Sequence, residues 1–439
     1  MQILKEGQTV YTVTSKMPCV AEKFLGGGGQ GEVYRADLDG KKIALKWYFP
    51  ASATPEQYKG LETLVKKGPP TDKFLWPIEL TQAKDVPGFG YIMPLRAPQY
   101  ISIVDLMKRR AEPTFRAIAT AGLALADSYL ELHAKGLCYR DISFGNVFFE
   151  PNTGEVLICD NDNVAIDGEA QGGVLGTPRF MAPEIVRSQA LPSMQTDLYS
   201  LAVLLFYMMM VHHPLEGKLE SDIKCLDLPA MNKLYGTHPV FIFDPDNDTN
   251  RPVPGFHDNV IAFWPLYPQY IRDLFIEVFT VGLHDPLERV RESEWRAAIV
   301  KMRDAIIYCP KCGSENFYDG VALKQSGGKP GACWSCGADL ILPPRIRIGD
   351  AVVMLNYDTR LYPHHVDPSK LYDFTTPIAE VNQHPKDPSI WGLRNLSGGK
   401  WTITTDDGAI RDVETGQNVR LAVGAKINFG YGKEGEIRV

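Results

Sequence analysis

No stretch of this 439-residue chain is long and apolar enough to suit a bilayer. The most apolar run, Leu198 to Val211, has about 14 residues where a spanning helix needs ~20, so it suits a buried helix. A basic N-terminal segment followed by an apolar one is also missing, and no export signal is expected. Positive charge is not in excess: 46 Lys and Arg face 53 Asp and Glu, a net charge of −7. That argues against nucleic acid or a membrane as partner, because phosphate-rich surfaces call for clustered Lys and Arg. Cysteine is sparse. Of eight residues, Cys19, Cys138, Cys159 and Cys225 are scattered and the other four form two close pairs. Isolated thiols do not make a disulfide framework, and a reducing, cytoplasmic setting is expected. What is present, 44% apolar and 23% charged residues, is the composition of a globular chain. Its length suits roughly two to four domains.

Residues 1–305 alternate strand-like and helix-like stretches without a long linker. The runs 20–25, 32–36, 42–49, 74–80 and 90–95 read as strands. Thr54-Pro55-Glu56-Gln57 offers a Thr N-cap, Pro at the first helical position and Gln three residues after the cap. That helix should run to Lys67 and stop at Gly68-Pro69-Pro70. From Pro113 the pattern turns helical: Ile118, Gly122, Leu125, Tyr129 and Leu132 recur at spacings of four and three, and Gly136 ends the run. Residues 216–262, rich in Pro, Asn, Asp and Gly, read as a long surface excursion. The paired cysteines lie in 306–341. After Pro343-Pro344, short alternating segments point to a small all-β domain over 342–439.

The chemistry concentrates in a few positions. Tyr139-Arg140-Asp141-Ile142-Ser143-Phe144-Gly145-Asn146 sets an Asp and an Asn five positions apart, and Leu157-Ile158-Cys159-Asp160 sets a second Asp at the end of an apolar run. Phosphoryl transfer from ATP asks for that set: Asp141 to accept a hydroxyl proton, Asn146 and Asp160 to hold Mg²⁺ or Mn²⁺. Upstream, Leu25-Gly26-Gly27-Gly28-Gly29-Gln30-Gly31-Glu32-Val33 fits G-x-G-x-x-G-x-V with Gly26, Gly28 and Gly31. Glycines there let backbone amides approach phosphate, and Val33 would cover the adenine. A strand after the glycines disfavours a dinucleotide-binding unit. In Ile43-Ala44-Leu45-Lys46, Lys46 can reach the α- and β-phosphates, with Ala44 sharing the adenine pocket. The carboxylate expected to orient Lys46 is Glu62 in the following helix, since Tyr58, Leu61 and Val65 put the buried face beside it; Glu56 is the competitor.

On these motifs, residues 20–300 resemble a eukaryotic-type (Hanks-type) protein kinase domain. The resemblance implies an α+β, bilobal fold, with an N-lobe of about 1–96 and a C-lobe of about 97–305. Gly176-Thr177-Pro178-Arg179-Phe180-Met181-Ala182-Pro183-Glu184 resembles the end of an activation segment, and Asp197-Leu198-Tyr199-Ser200-Leu201 the start of the buried central helix. Arg289, after Asp285-Pro286, is the implied partner of Glu184. Met93, Pro94, Leu95 and Arg96 fall at the gatekeeper and hinge, and Phe148 joins the implied nucleotide-binding set. Three departures stand out. Tyr139 replaces His, Ser143 replaces a Lys, and Asp160-Asn161-Asp162 replaces Asp-Phe-Gly. Asp162 could add a metal contact or cap a turn, and the turn is the preferred reading. No Ser, Thr or Tyr lies between Asp160 and Gly176, so Arg140 has no phosphate to meet there; Asp167 or Glu169 could serve instead.

Cys309-Pro310-Lys311-Cys312 and Cys333-Trp334-Ser335-Cys336, with 20 residues between them, form the pattern of a structural Cys₄ zinc site and resemble a zinc ribbon. Residues 342–439 loosely resemble a forkhead-associated (FHA-like) sandwich over Trp391–Ser397 and Val419–Gly430, without its phosphothreonine-reading Ser/Arg and Asn-Gly motifs; Arg360 and His364 or His365 could stand in for them, and surface loop residues are the preferred reading. Together these parts are similar to bacterial signalling kinases of tellurium-resistance clusters. That implies a protein substrate, with a metal-dependent phosphatase and a von Willebrand-A protein as further partners. Two functions stay open: an active protein Ser/Thr kinase, or a low-activity nucleotide-binding scaffold recruiting partners through its C-terminal domains.

Overall fold

The computed structural model describes residues 2–169, 175–405 and 408–438, and its contacts divide into two compact units. The first comprises Met1–Pro265 and Arg272–Arg296; the second comprises Leu266–Ile271 and Ala297–Val439.

The first unit opens with a six-stranded barrel. Strands β1 (Thr9–Thr12), β2 (Pro18–Gly27), β3 (Gly31–Leu38), β4 (Lys41–Tyr48), β5 (Glu79–Gln82) and β6 (Gly90–Met93) close in the order β1-β2-β3-β4-β6-β5. Helix α1 (Pro55–Lys67) lies between β4 and β5, and the Thr54 hydroxyl caps it by accepting the Gln57 N–H. The strand expected at 74–80 is instead four residues, Glu79–Gln82. Pro77 interrupts the run, and Phe74 makes only an isolated parallel bridge to Ile158. Strand β1, too short to announce itself in the sequence, closes the barrel by pairing with both β2 and β5.

The remainder of this unit is mainly helical. Strand β7 (Ile101–Ser102) leads into α2 (Ile103–Met107), and α3 (Phe115–Ala134) follows. Helix α3 buries Ile118, Gly122, Leu125, Tyr129 and Leu132, the stripe set by its spacing. Two small sheets carry the loops after it. Strand β8 (Leu137–Cys138) pairs with β11 (Ala165–Ile166), while β9 (Val147–Phe149) lies between β10 (Val156–Ile158) and β7. A four-residue turn, α4 (Pro183–Val186), precedes α5 (Met194–Met210), which is buried from Thr196 to Met210. A helix apolar on all sides belongs inside a core, which accounts for the longest apolar run. The 216–262 excursion is only partly a surface feature. Tyr235, Phe241 and Ile242 are buried within it, and the Phe241 ring lies 5.9 Å from that of Phe206 on α5. Abundant turn residues conceal these anchors in the sequence. Residues 272–279 of helix α6 (Gln269–Phe279) and residues 292–296 of helix α7 (Glu292–Asp304) complete this unit.

In the second unit, β12 (Ile306–Tyr308) and β13 (Glu315–Phe317) form a hairpin that carries the first cysteine pair at its turn. Ten more strands make two sheets. One has the order β15 (Ala351–Met354), β14 (Arg345–Ile348), β23 (Glu434–Arg438), β22 (Lys426–Asn428), β19 (Trp401–Thr404), β20 (Ile410–Val413). The other is β16 (Arg360–Leu361), β17 (Ala379–His384), β18 (Asp387–Asn395), β21 (Asn418–Arg420). Inward residues of both sheets share one core, among them Ile346, Leu361, Leu393, Trp401, Val419 and Ile427, so the pair is a sandwich. The cysteine module is not isolated from it, because Cys309, Cys333 and Leu340 pack with Met354 of β15. Nor is His365 the surface residue the sequence suggests. It is buried, with Nε2 3.4 Å from Asp304.

His133, near the end of α3, ties the first unit together. Its Nε2 lies 3.1 Å from Asp197 on α5 and its Nδ1 meets Glu292 on α7. Burial alone would push the imidazole down; hydrogen bonds to Asp197 and Glu292 more than reverse that and raise it to about 9. The folded chain therefore holds this proton more tightly than the unfolded chain, whose histidine titrates near ~6.5. The resulting stabilisation is complete below about pH 6.5, declines above it and is gone once pH passes the folded value. Thermal unfolding followed from pH 6 to 10 should show this decline, and His133→Gln should flatten it. An unaltered slope in the variant would contradict the assignment.

Candidate active site

Three backbone devices bring the candidate residues together. First, Asp197 accepts hydrogen bonds from two successive amides, Tyr139 N–H at 2.5 Å and Arg140 N–H at 2.9 Å. Arg140 adopts a left-handed φ of +75°, a conformation uncommon outside glycine, and this grip holds it there. Second, the buried Tyr139 hydroxyl donates to the Cys159 carbonyl. Third, Cys159 N–H donates to the Asn146 carbonyl at 2.8 Å. Asp141, Asn146 and Asp160 are thereby set on adjoining loops.

The Asp141 carboxylate is engaged on both oxygens. Thr177 Oγ1 donates to Oδ1 at 2.8 Å and Asn146 Nδ2 donates to Oδ2 at 2.9 Å. Burial raises the Asp141 carboxyl above the usual range, and the hydrogen bonds from Thr177 and Asn146 offset part of the rise. The amide nitrogen of Asn146 also donates to the Asp141 carbonyl, which leaves its amide oxygen as the atom suited to a cation. The Asp160 side chain is 42% exposed, open to a metal ion. An amide oxygen and a carboxylate are ligands of the type Mg²⁺ takes.

The glycine loop divides by function. Gly28–Gln30 connects β2 to β3, and Gly28 N–H donates to the Gly31 carbonyl at 2.9 Å. A Cβ on Gly31 would lie 2.3 Å from the Trp47 carbonyl oxygen, so this glycine is required by packing. A Cβ on Gly26 or Gly28 would meet nothing within 4 Å, so packing does not require these two glycines and the space beside them is open. Val33, Ala44, Met93 and Leu95 share one apolar cluster on the barrel face that packs with α1, a fitting wall for a planar base. Pro94 and Arg96 follow and are exposed; the Arg96 guanidinium lies 4.0 Å from the Phe148 ring centre.

Lys46 departs from expectation. Glu62 is exposed on α1 and Glu56 is exposed too. The ion pairs of Lys46 Nζ run instead to Asp162 at 2.9 Å and Asp160 at 3.4 Å. Asp162 is thus no mere turn former. Its side chain is wholly buried, and it accepts the Tyr48 and Tyr91 hydroxyls as well. The buried face of α1 is Leu61 and Leu64, and the spacing of Tyr58 and Val65 misled because both are only half-buried. The missed signal was in the departure itself, an acid where the family pattern has glycine.

Glu184 and Arg289 meet in a buried bidentate pair, both contacts at 2.8 Å. The Arg140 Nε donates to the Asn163 carbonyl, and Asp167 Oδ1 accepts the Met194 N–H at 2.9 Å, which occupies that acid at the start of α5. Glu169 is exposed, and residues 170–174 lie outside the described residues.

These features converge on one comparison. Residues 102–304 match the family model of the protein kinase domain. Among curated relatives, a probable serine/threonine-protein kinase CCRP1 of Zea mays is 32% identical over 126 residues, 28% of this chain and 20% of its own. The serine/threonine-protein kinase PLK1 of Xenopus tropicalis is 27% identical over 212 residues, 44% of this chain and 33% of its own. The cell cycle kinase CDC5/MSD2 of Saccharomyces cerevisiae is 28% identical over 137 residues, 29% and 19% respectively. The matches thus span about a fifth to a third of those relatives' lengths. The family match begins after the barrel, so the glycine loop and Lys46 rest on their own geometry.

In the second unit the four cysteine sulfurs lie within 4.8 Å of one another, and all are free thiols. The two CxxC turns are built alike. Cys309 and Cys333 accept the N–H of Gly313 and Gly337 at 3.0 and 2.9 Å, and both glycines are left-handed, with φ of +74° and +69°. Lys311 N–H and Asn316 Nδ2 donate to the Cys309 and Cys333 sulfurs at 3.4 and 3.7 Å. Four converging sulfurs fit a tetrahedral ion.

The two classes of glycine separate in experiment. Gly31→Ala should destabilise the protein by about 1–3 kcal/mol, because the clash is with backbone. Gly28→Ala should leave stability unchanged and weaken ATP binding. Urea unfolding and nucleotide titration of both variants check this, and equal stability of the two would count against it.

Proposed function

We propose that this chain is an ATP-dependent protein Ser/Thr kinase that transfers the γ-phosphate to protein hydroxyl groups. The observation that carries this reading is the convergence of Asp141, Asn146, Asp160 and Lys46 under a glycine loop with open space, within a chain that matches the kinase family model. ATP with Mg²⁺ supplies the phosphoryl group and neutralises part of its charge. The chain's residues do the rest. Asp141 accepts the proton of the incoming hydroxyl at its carboxylate. Thr177 and Asn146 hold that carboxylate in one orientation until substrate arrives. Lys46 binds and orients phosphate, and Val33, Ala44 and Met93 exclude water from the base.

Asp141→Asn should lower phosphotransfer by about 10²–10⁴-fold while leaving nucleotide affinity nearly unchanged, since the base acts only in the reaction. Because the Asp141 carboxyl is raised, the acid limb of the pH–rate profile should lie above that of an ordinary aspartate near ~3.9, with activity falling as pH drops through it. Radiolabelled ATP with casein as acceptor reads both. Equal turnover in wild type and variant would overturn the kinase reading; intact nucleotide binding without Asp141-dependent transfer would favour the scaffold.

The Cys309, Cys312, Cys333 and Cys336 cluster supports a structural zinc ribbon, and the sandwich beside it supports an FHA-like module for recruiting partners. We propose on that basis that the chain works as a bacterial cytoplasmic kinase with a metal-dependent phosphatase and a von Willebrand-A protein as partners. Elemental analysis of protein purified without chelator should find one zinc per chain, and Cys312→Ser or Cys333→Ser should lose it. Absence of zinc would reject the site. Chelation should unfold the ribbon, because metal binding and folding are coupled.

A further inference from the structure

Lys46 is almost wholly buried, and a buried ammonium needs a carboxylate held in place. Helix α1 supplies none. Its contribution is an uncharged one: Gln57 Nε2 donates to the Tyr48 hydroxyl at 3.0 Å and to the Asp162 carbonyl oxygen at 3.4 Å. The charge comes from Asp162. Lys46 Nζ lies 3.0 and 2.9 Å from its two carboxylate oxygens. The Tyr91 hydroxyl donates to one oxygen at 2.9 Å and the Tyr48 hydroxyl to the other at 2.5 Å. The carboxylate is thus fully satisfied without solvent. Burial would push its pKa up, but the Lys46 charge and the two tyrosine hydroxyls outweigh burial and hold it below the usual range.

Two acids two residues apart have been given different environments. Asp160 is 42% exposed, and Asp162 has no exposed side-chain surface. A metal ion with its water could reach the first and not the second. The 3-10 turn Asn161–Asn163 joins them, entered from Asp160 in a left-handed conformation with φ of +49°. One short rigid piece of chain therefore presents an open carboxylate to the cleft and a closed carboxylate to Lys46.

Resting on the kinase reading above, we propose that Asp162 is the positioning residue for Lys46, in the place of a carboxylate from helix α1. It acts through Lys46, with no contact of its own to nucleotide. The consequence is mechanical. Lysine anchor and candidate metal ligand move as one body, so a shift of α1 would leave Lys46 directed at the phosphates. Activity controlled by swinging a helix carboxylate in and out has no lever here.

The test uses the full chain, with kcat and ATP KM measured for wild type, Asp162→Asn, Tyr91→Phe and Glu62→Gln, and with affinity for a fluorescent ATP analogue measured in parallel. Assays run well below each variant's melting temperature. Asp162→Asn should lower kcat/KM for ATP by roughly 10- to 100-fold, the usual consequence of losing the partner that orients a binding group. A purely structural role would lower the melting temperature and leave kcat/KM of the folded protein unchanged, which would overturn the proposal. Tyr91→Phe, which removes one donor and keeps the carboxylate, should give a smaller loss of the same kind, and it carries the test if Asp162→Asn does not fold. A loss in Glu62→Gln with Asp162→Asn unaffected would return the role to the helix. Absence of Asp141-dependent transfer in the wild type would instead sink the kinase reading, and unchanged analogue affinity in both Asp162→Asn and Tyr91→Phe would then overturn this proposal separately.

Discussion

The carboxylate of Asp197 is the fixed point of the first unit. It accepts the amides of Tyr139 and Arg140 and faces the His133 imidazole, so one buried group joins α3, α5 and the loop that presents Asp141. Its position on a helix buried from Thr196 onward fixes it in place, and its hydrogen bonds hold Arg140 in a conformation the residue would not otherwise favour. Everything downstream inherits that placement. Tyr139 reaches Cys159, Cys159 reaches Asn146, and Asn146 returns to Asp141. The loop is closed by hydrogen bonds rather than by regular secondary structure.

The cleft side of the barrel follows a different rule. Where an apolar plug and a glycine follow the metal-holding acid in the family pattern, this chain has Asn161 and Asp162, and the space is organised around charge. Lys46, Asp162, Tyr48, Tyr91 and Gln57 form a continuous polar network inside an otherwise apolar region. Such a network is costly unless every member is satisfied, and once satisfied it is rigid. The departures from the family pattern are therefore compatible with a preformed site. The same logic governs the bidentate pair of Glu184 with Arg289, which pins α4 to the segment after α6.

The second unit builds stability by other means. Its hairpin is too small to bury a core of its own, and two matching cysteine turns bring four sulfurs together against β15. The sandwich beyond it draws its core from both sheets, with the buried Asn395 and Ser397 satisfying each other at the Trp401 corner.

Much was legible in the sequence. The α3 stripe, the capped α1 and the two CxxC turns are local patterns with a fixed period or spacing, and local geometry obeys them. The residue types at Asp141, Asn146, Asp160 and Lys46 point to phosphoryl transfer, the activity proposed above, because few chemistries need that set in that order. The sequence could not decide which acid faces Lys46. Glu62 and Asp162 are 16 and 116 positions away, and sequence distance carries no information about which of two elements presents a carboxylate to a buried lysine. Only packing does: α1 turns Leu61 and Leu64 inward and Glu62 out, while the turn after Asp160 carries Asp162 against the α1-facing side of the barrel between two tyrosines. Barrel closure by β1 and the burial of Phe241 and His365 were tertiary decisions of the same kind. Each depends on a surface that exists only after distant segments have met.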